Sequence, residues 1–210
     1  MRSESGPHVR QRTFTEEARR AQIIGCAIEV LAELGYAQTS YARIAELAGT
    51  SKSVISYHFA GKDELLEQVV QSVFADAARY MIPRISEQHS ARAVLGAYLR
   101  SNLEFIRDHR KDIDAVTEIF LNLRGRDGSR RFAGGPGGME AALKPLQEIL
   151  QRGQDEGAFA EFDTRTMAWA IRNLVDGVTR QRTLDPEFDF DTCIDEMVAL
   201  VDRATRKVTS

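Results

Sequence analysis

A chain of 210 residues with 43% hydrophobic and 28% charged residues holds enough apolar material for a core of its own, which excludes disorder as its main state. No stretch approaches the roughly 18 consecutive apolar residues of a membrane span, and the opening MRSESGPHVRQRTFTEE carries arginines without the apolar run of a secretory signal. The net charge of -3 argues against indiscriminate nucleic-acid binding, but it is uneven: residues 1–62 hold eight Lys/Arg against six Asp/Glu, whereas residues 63–210 hold 20 against 25.

Apolar residues recur at helical spacing almost throughout, and no run alternates with period two, so the expected fold is all-α with about nine helices. Arg10 and Arg12 lie in a polar arm, residues 1–13, within reach of a minor groove or phosphates; a disordered tail is the competing reading. Ile23, Ile24, Ala27, Ile28, Leu31 and Leu34 define a first helix, opened by Thr15-Glu16-Glu17 and closed by Gly35. Ala42, Ile44, Ala45, Leu47 and Ala48 make a short second helix, capped by Thr39 or Ser40 and stopped by Gly49. Ser51 caps a third, again short, ending near Phe59. A long amphipathic helix from Leu65 to Ile82 then stops at Pro83.

Further helices are expected near 91–109, 112–124, 138–155, 163–184 and 190–206. Between the second and third of these lies RGRDGSRRFAGGPGG, residues 124–138. Its glycines and arginines invite a phosphate-loop reading, but GxxxxGK[ST] and a preceding strand are both missing, and a mobile linker is the expectation.

Two short helices joined by Gly49-Thr50-Ser51 and packed on a longer one make a helix-turn-helix, here at about 39–59. At 100° per residue, Ile55 and Phe59 fall on one side of the third helix, while Ser53 and Tyr57 point away from it, flanked by Lys52 and Ser56. Such a face can bond base edges and phosphates in a major groove. A solvated helix face is the bland alternative.

The stretch GYAQTSYARIAELAGTSKSVISYHFAGKDELL, Gly35 to Leu66, resembles the DNA-binding signature of the TetR family of bacterial transcriptional regulators. The matching positions are Gly35-Tyr36, Thr39, Ile44-Ala45, Ala48-Gly49, Ser51-Lys52, Tyr57-His58-Phe59, Lys62 and Leu65-Leu66. Thr50, Ser53 and Ser56 depart from the family pattern, which most often has an aliphatic, a glycine and a tyrosine there; with Ser56 in place of tyrosine, its task shifts to Tyr57 and His58. The resemblance implies that Thr39 and Ser40 cap the second helix and touch phosphate, and that Lys62 does likewise. Lys52, Ser53, Ser56, Tyr57 and His58 complete the expected DNA-binding set. It further implies a DNA-binding domain over 1–61 and, over 62–210, a helical domain that senses a ligand and dimerises through its last two helices.

Met167, Ala170, Ile171, Leu174, Val175 and Val178 form one stripe of the 163–184 helix, and Cys193, Met197, Leu200, Val201 and Ala204 another on 190–206. Ile171, Leu174, Val178, Met197 and Val201 are the expected dimer contacts, with a purely internal core as the alternative. Trp169 stands away from that stripe, in line with Asn173 and Asp176, and these three could meet an aromatic or cationic ligand; an amphipathic tryptophan between helices is the plainer reading. Phe120 and Leu123 are candidate cavity residues with Phe74 and Leu103, against ordinary core packing. His8, His58, His89 and His109 are scattered, and neither HExxH nor GxSxG occurs, so no enzyme and no cofactor are expected. Cys26 and Cys193, without a CxxC, suggest neither zinc nor a disulfide framework and fit a reducing cytoplasm.

The sequence thus points to a ligand-responsive repressor that binds a palindromic operator as a homodimer. A small hydrophobic, aromatic or cationic inducer would release it through the helix running from Lys62 to Ile82. A helical interaction module without DNA binding is the alternative.

Overall fold

The computed structural model describes residues 13–125, 127–132, 139–185 and 187–207; the side chains of 139–142 and 183 are outside that description, as are Arg10, Arg12 and residues 133–138. Among the described residues the chain forms nine helices: α1 (Phe14–Gln38), α2 (Tyr41–Leu47), α3 (Lys52–His58), α4 (Lys62–Ser86), α5 (Ala91–Asp108), α6 (Arg110–Asn122), α7 (Met139–Asp155), α8 (Thr164–Leu184) and α9 (Phe190–Thr205). None is long and apolar enough to cross a membrane. Two compact units divide between Ser72 and Val73, within α4.

In the first unit, α1 packs on α2 and α3. Ile23, Ala27, Leu31, Ile44, Ile55, Phe59, Leu65 and Leu66 are buried, and each of the isoleucine, leucine and phenylalanine side chains contributes about 1.5–3 kcal/mol by leaving water. The cap of α1 is Thr13, two residues earlier than the sequence suggested. The Thr13 hydroxyl accepts from the Glu16 N–H while the Glu16 carboxylate accepts from the Thr13 N–H, a reciprocal pair that Thr15 has no way to form with its own neighbours. Gly35 breaks the helix as expected, at φ 75° and ψ 172°, and one further turn carries the chain to Gln38. Gly49, at φ 59°, closes α2: its N–H donates to the Glu46 carbonyl and that of Thr50 to the Ala45 carbonyl, which satisfies the final turn.

Pro83 does not end α4. A proline forfeits only its own N–H and crowds the preceding turn, so the residues after it can still donate backward: the Glu87 N–H reaches the Pro83 carbonyl at 3.2 Å, and the Arg84 guanidinium covers the Tyr80 carbonyl at 2.6 Å. The helix therefore continues to Ser86.

In the second unit α5 packs against α6, α7 and α9, and α7 against α8. The core runs through Leu95, Leu99, Leu103, Leu146, Leu150, Phe159, Ile171, Val175, Ile194 and Val201. Phe159 lies so close over α7 that a Cβ on Gly153 would stand 2.0 Å from its ring, which leaves room for glycine alone. Arg182 is a buried cation in this core. It donates to the Ile106 carbonyl at 2.8 Å and to Asp114 at 2.5 Å, its Nε finds no partner among the described residues, and burial lowers its pKa.

Residues 123–125 and 127–131 are joined by turn contacts, where a mobile linker was expected. Arg124 bridges Arg130, the Gly125 N–H donates to the Ser129 carbonyl at 2.8 Å, and Asp127 accepts from both the N–H and the hydroxyl of Ser129.

Candidate nucleic-acid interface

Helix α3 has only seven residues, capped at Ser51, whose hydroxyl accepts from the Val54 N–H at 3.4 Å. Its inner side is fixed by Ile55 and Phe59, both fully buried, and its outer side exposes Lys52, Ser53, Ser56 and Tyr57, the split expected from angular spacing. His58 is half-buried. The Ser53 and Ser51 hydroxyls share a hydrogen bond of 2.7 Å, which ties the first turn of the reading helix to its own cap.

The C-terminal end of α3 is anchored by a residue that sequence reasoning missed. Arg20 on α1 is buried, donates to the His58 carbonyl, lies 4.1 Å above the Phe59 ring and pairs with Glu64 at 3.7 Å. Glu64 in turn accepts from the Ala60 N–H at 2.6 Å. One guanidinium thus joins α1, the end of α3 and the start of α4. As one of two adjacent arginines, Arg19 and Arg20, it carries no sequence signal of this.

Two of the expected phosphate contacts have other engagements. Thr39 is buried, and its hydroxyl donates to the Gly35 carbonyl at 2.8 Å; Ser40, exposed, is the cap of α2. Lys62 donates to the Tyr36 carbonyl at 3.2 Å and sits 4.3 Å above the Tyr36 ring, with its pKa lowered by burial. Its ammonium braces the junction of α1 and α4.

In the second unit the candidate ligand residues do not converge. Phe74 and Phe120 meet edge to face at 6.0 Å, and Phe120 stacks on Phe132 at 4.9 Å, a ring that the sequence hid inside a glycine-rich loop. Leu103 and Leu123 are core. Trp169 and Asn173 face solvent, Trp169 at 56% exposure, and Asp176 is neutralised by Arg172 at 2.8 Å. A cleft of about 290 Å³ opens between α5 and α9, floored by Leu95, Leu99 and Val198, with Arg92 paired to Asp202 and Asp195 paired to Arg100 at its rim; none of the anticipated ligand residues lines it. Of the anticipated dimer contacts, Ile171, Val178 and Val201 are buried in this unit's own core and Met197 is half-buried against it, whereas Leu174 is exposed. The sequence stripe mixed the two because both helices have apolar residues on more than one side.

A short reading helix, clamped from behind and presenting hydroxyls, a lysine and a tyrosine, defines a helix-turn-helix DNA-binding head. Residues 23–69 match the family model described as bacterial regulatory proteins, tetR family. The chain is 35% identical over 185 residues to the HTH-type transcriptional regulator BetI 2 of Chromohalobacter salexigens, an alignment spanning 82% of this chain and 81% of that one. In fold it resembles the fatty acid degradation regulator FadR of Bacillus halodurans (TM-score 0.75, 22% identity, 95% of this chain and 97% of that one). It also resembles the ketosteroid transcriptional regulator KstR2 of Mycobacterium tuberculosis (TM-score 0.68, 19% identity, 90% and 96%). The chain belongs to the TetR family: it is a transcriptional regulator with a DNA-binding head and a ligand-sensing domain.

Proposed function

We propose that the protein is a cytoplasmic repressor that binds a palindromic operator as a homodimer and leaves it when a small apolar molecule enters the second unit. The observation that carries this reading is the division of α3 into a buried Ile55–Phe59 side and an exposed Lys52, Ser53, Ser56 and Tyr57 side. Laid in a major groove, that outer side brings a cation and two hydroxyls to phosphates and base edges, and Ser40 at the start of α2 meets the backbone. Lys62 and Thr39 serve as braces of the head. The copies pair through the exposed apolar residues of the last two helices, Trp169, Leu174 and Leu184 on α8 and Leu200 on α9.

An apolar inducer is favoured over a cationic one because Arg172 already neutralises the carboxylate that would receive a cation, Asp176. FadR, a fatty acid degradation regulator, and KstR2, a ketosteroid transcriptional regulator, point the same way for those proteins. Ligand binding would bias α4, whose first turns belong to the head, and so alter the spacing of the two reading helices; coupling of about 1–3 kcal/mol is typical of such linkage.

Footprinting with the DNA flanking its own gene tests the reading. Protection symmetric about a centre, by a dimer, is expected. Asymmetric protection by a monomer at micromolar concentration contradicts it.

A further inference from the structure

Tyr57 is the most prominent ring of the reading helix, 68% exposed, yet it is held at two points. Its ring meets that of His58 edge-on, with centroids 5.1 Å apart and planes at 79°, and its hydroxyl donates to Glu16 Oε1 on α1 at 3.1 Å. Glu16 is fixed in its turn. Its other oxygen accepts from the Thr13 N–H at 2.8 Å and the Thr13 hydroxyl at 3.3 Å, as the acidic partner of the capping box. One carboxylate therefore closes the first turn of α1 and, 41 residues away in sequence, holds the tip of the reading helix.

A phenol has a single proton to donate. While Glu16 accepts it, no phosphate oxygen receives it, and an ionised carboxylate beside the hydroxyl repels a phosphate approaching the same point. The face of the ring remains for contact, and what a ring face meets in a major groove is apolar: the thymine methyl group and the edge of deoxyribose. We propose that Glu16 is a positioning residue of the DNA interface, holding Tyr57 as a fixed apolar wedge that selects operator sequence by contact with thymine methyl groups. This rests on the operator-binding reading above. It reverses the expectation that Tyr57 supplies a phosphate bond, because the hydroxyl stays with Glu16 in the complex.

The test is a double-mutant cycle in the full chain: wild type, Tyr57→Phe, Glu16→Ala and both together, each measured for operator affinity, its salt dependence and thermal stability. Glu16→Ala also removes the α1 cap, but that loss is common to both legs and cancels. Each single change should weaken operator binding about 3- to 10-fold, and the double should be no weaker than the worse single, because both remove one bond. The salt slope should not change in any variant, since no phosphate contact is lost. Replacing thymine by uracil at the contacted position should weaken wild type and leave Tyr57→Ala indifferent. If Glu16→Ala does not fold, Glu16→Asp replaces it, keeping the charge at the helix N-terminus but falling short of Tyr57.

Losses that multiply in the double variant overturn the proposal, because they place the hydroxyl on DNA. So does tighter operator binding by Glu16→Ala, which makes Glu16 a competitor of DNA. A wild-type chain that protects no DNA defeats the operator reading itself, and the thermal cycle tells that failure apart by detecting the Glu16–Tyr57 bond in the free protein.

Discussion

The head and the second unit use amphipathic helices in opposite ways. In the head, α3 is so short that it has one buried side and one free side, and the free side is the surface proposed to meet DNA. In the second unit, α8 is 21 residues long and apolar in several directions, so an apolar position there belongs to the internal core, like Ile171 and Val178, or to the outside, like Leu174 and Trp169. Helical period alone identifies function only where a helix buries a single side.

Substitutions on adjacent positions of α3 sharpen that contrast most. Ile55→Ala should destabilise the head by about 3 kcal/mol through the cavity it leaves, read by chemical denaturation. Ser56→Ala, one residue on, should stay within about 0.5 kcal/mol of wild type and weaken operator binding several-fold in a mobility-shift assay. Equal stability losses at the two positions would erase the distinction between the sides.

On α8 the corresponding pair is Leu174→Arg and Val178→Ala. The arginine should weaken self-association by about 2–3 kcal/mol, seen as monomers in sedimentation velocity, while the folded unit survives. Val178→Ala should lower stability by about 1–2 kcal/mol and leave the dimer intact, because its side chain is buried within one subunit. A comparable effect, about 1–3 kcal/mol, is expected of Gly153→Ala, whose added methyl group collides with the Phe159 ring and must displace it.

The smallest effect concerns acid. The cap carboxylates Asp163 and Asp189 have pKa values lowered below 3.8, chiefly by hydrogen bonds from Thr166 and Thr192. A depressed carboxylate contributes stability that is complete above its unfolded pKa and is lost as pH falls through its folded one. Asp163→Asn with Asp189→Asn keeps both caps, since asparagine caps as well. The double variant should match wild type near neutrality and lose less stability than wild type on acidification below pH 4; a parallel acid loss would remove these caps from the account.

Much of this was legible in the sequence because it is local. Gly35, Gly49 and Ser51 announce the short helices, and the angular positions of Ile55 and Tyr57 follow from 100° steps. Thr39 and Ser40 were both sound caps by type, and the spacing alone does not say that Thr39 turns inward onto the Gly35 carbonyl. Arg20, Lys62 and Glu16 act on partners 38, 26 and 41 residues away, and no spacing rule connects such positions. The Asp127 turn was hidden by glycines and arginines that read equally well as a linker, and Phe132 was hidden with it.

The two lysines of the head test the central claim most directly, since the account gives one to DNA and the other to the fold. The measurement is operator affinity as a function of salt for Lys52→Ala and Lys62→Met. Lys52 is exposed at the start of α3, so its loss should reduce the salt slope by about one while the melting temperature holds. Lys62 is bound to Tyr36, so its loss should lower the melting temperature and leave the slope unchanged. A slope reduced by Lys62→Met and untouched by Lys52→Ala would contradict the account, because the phosphates would then be met at the α1–α4 junction and not by the outer side of α3.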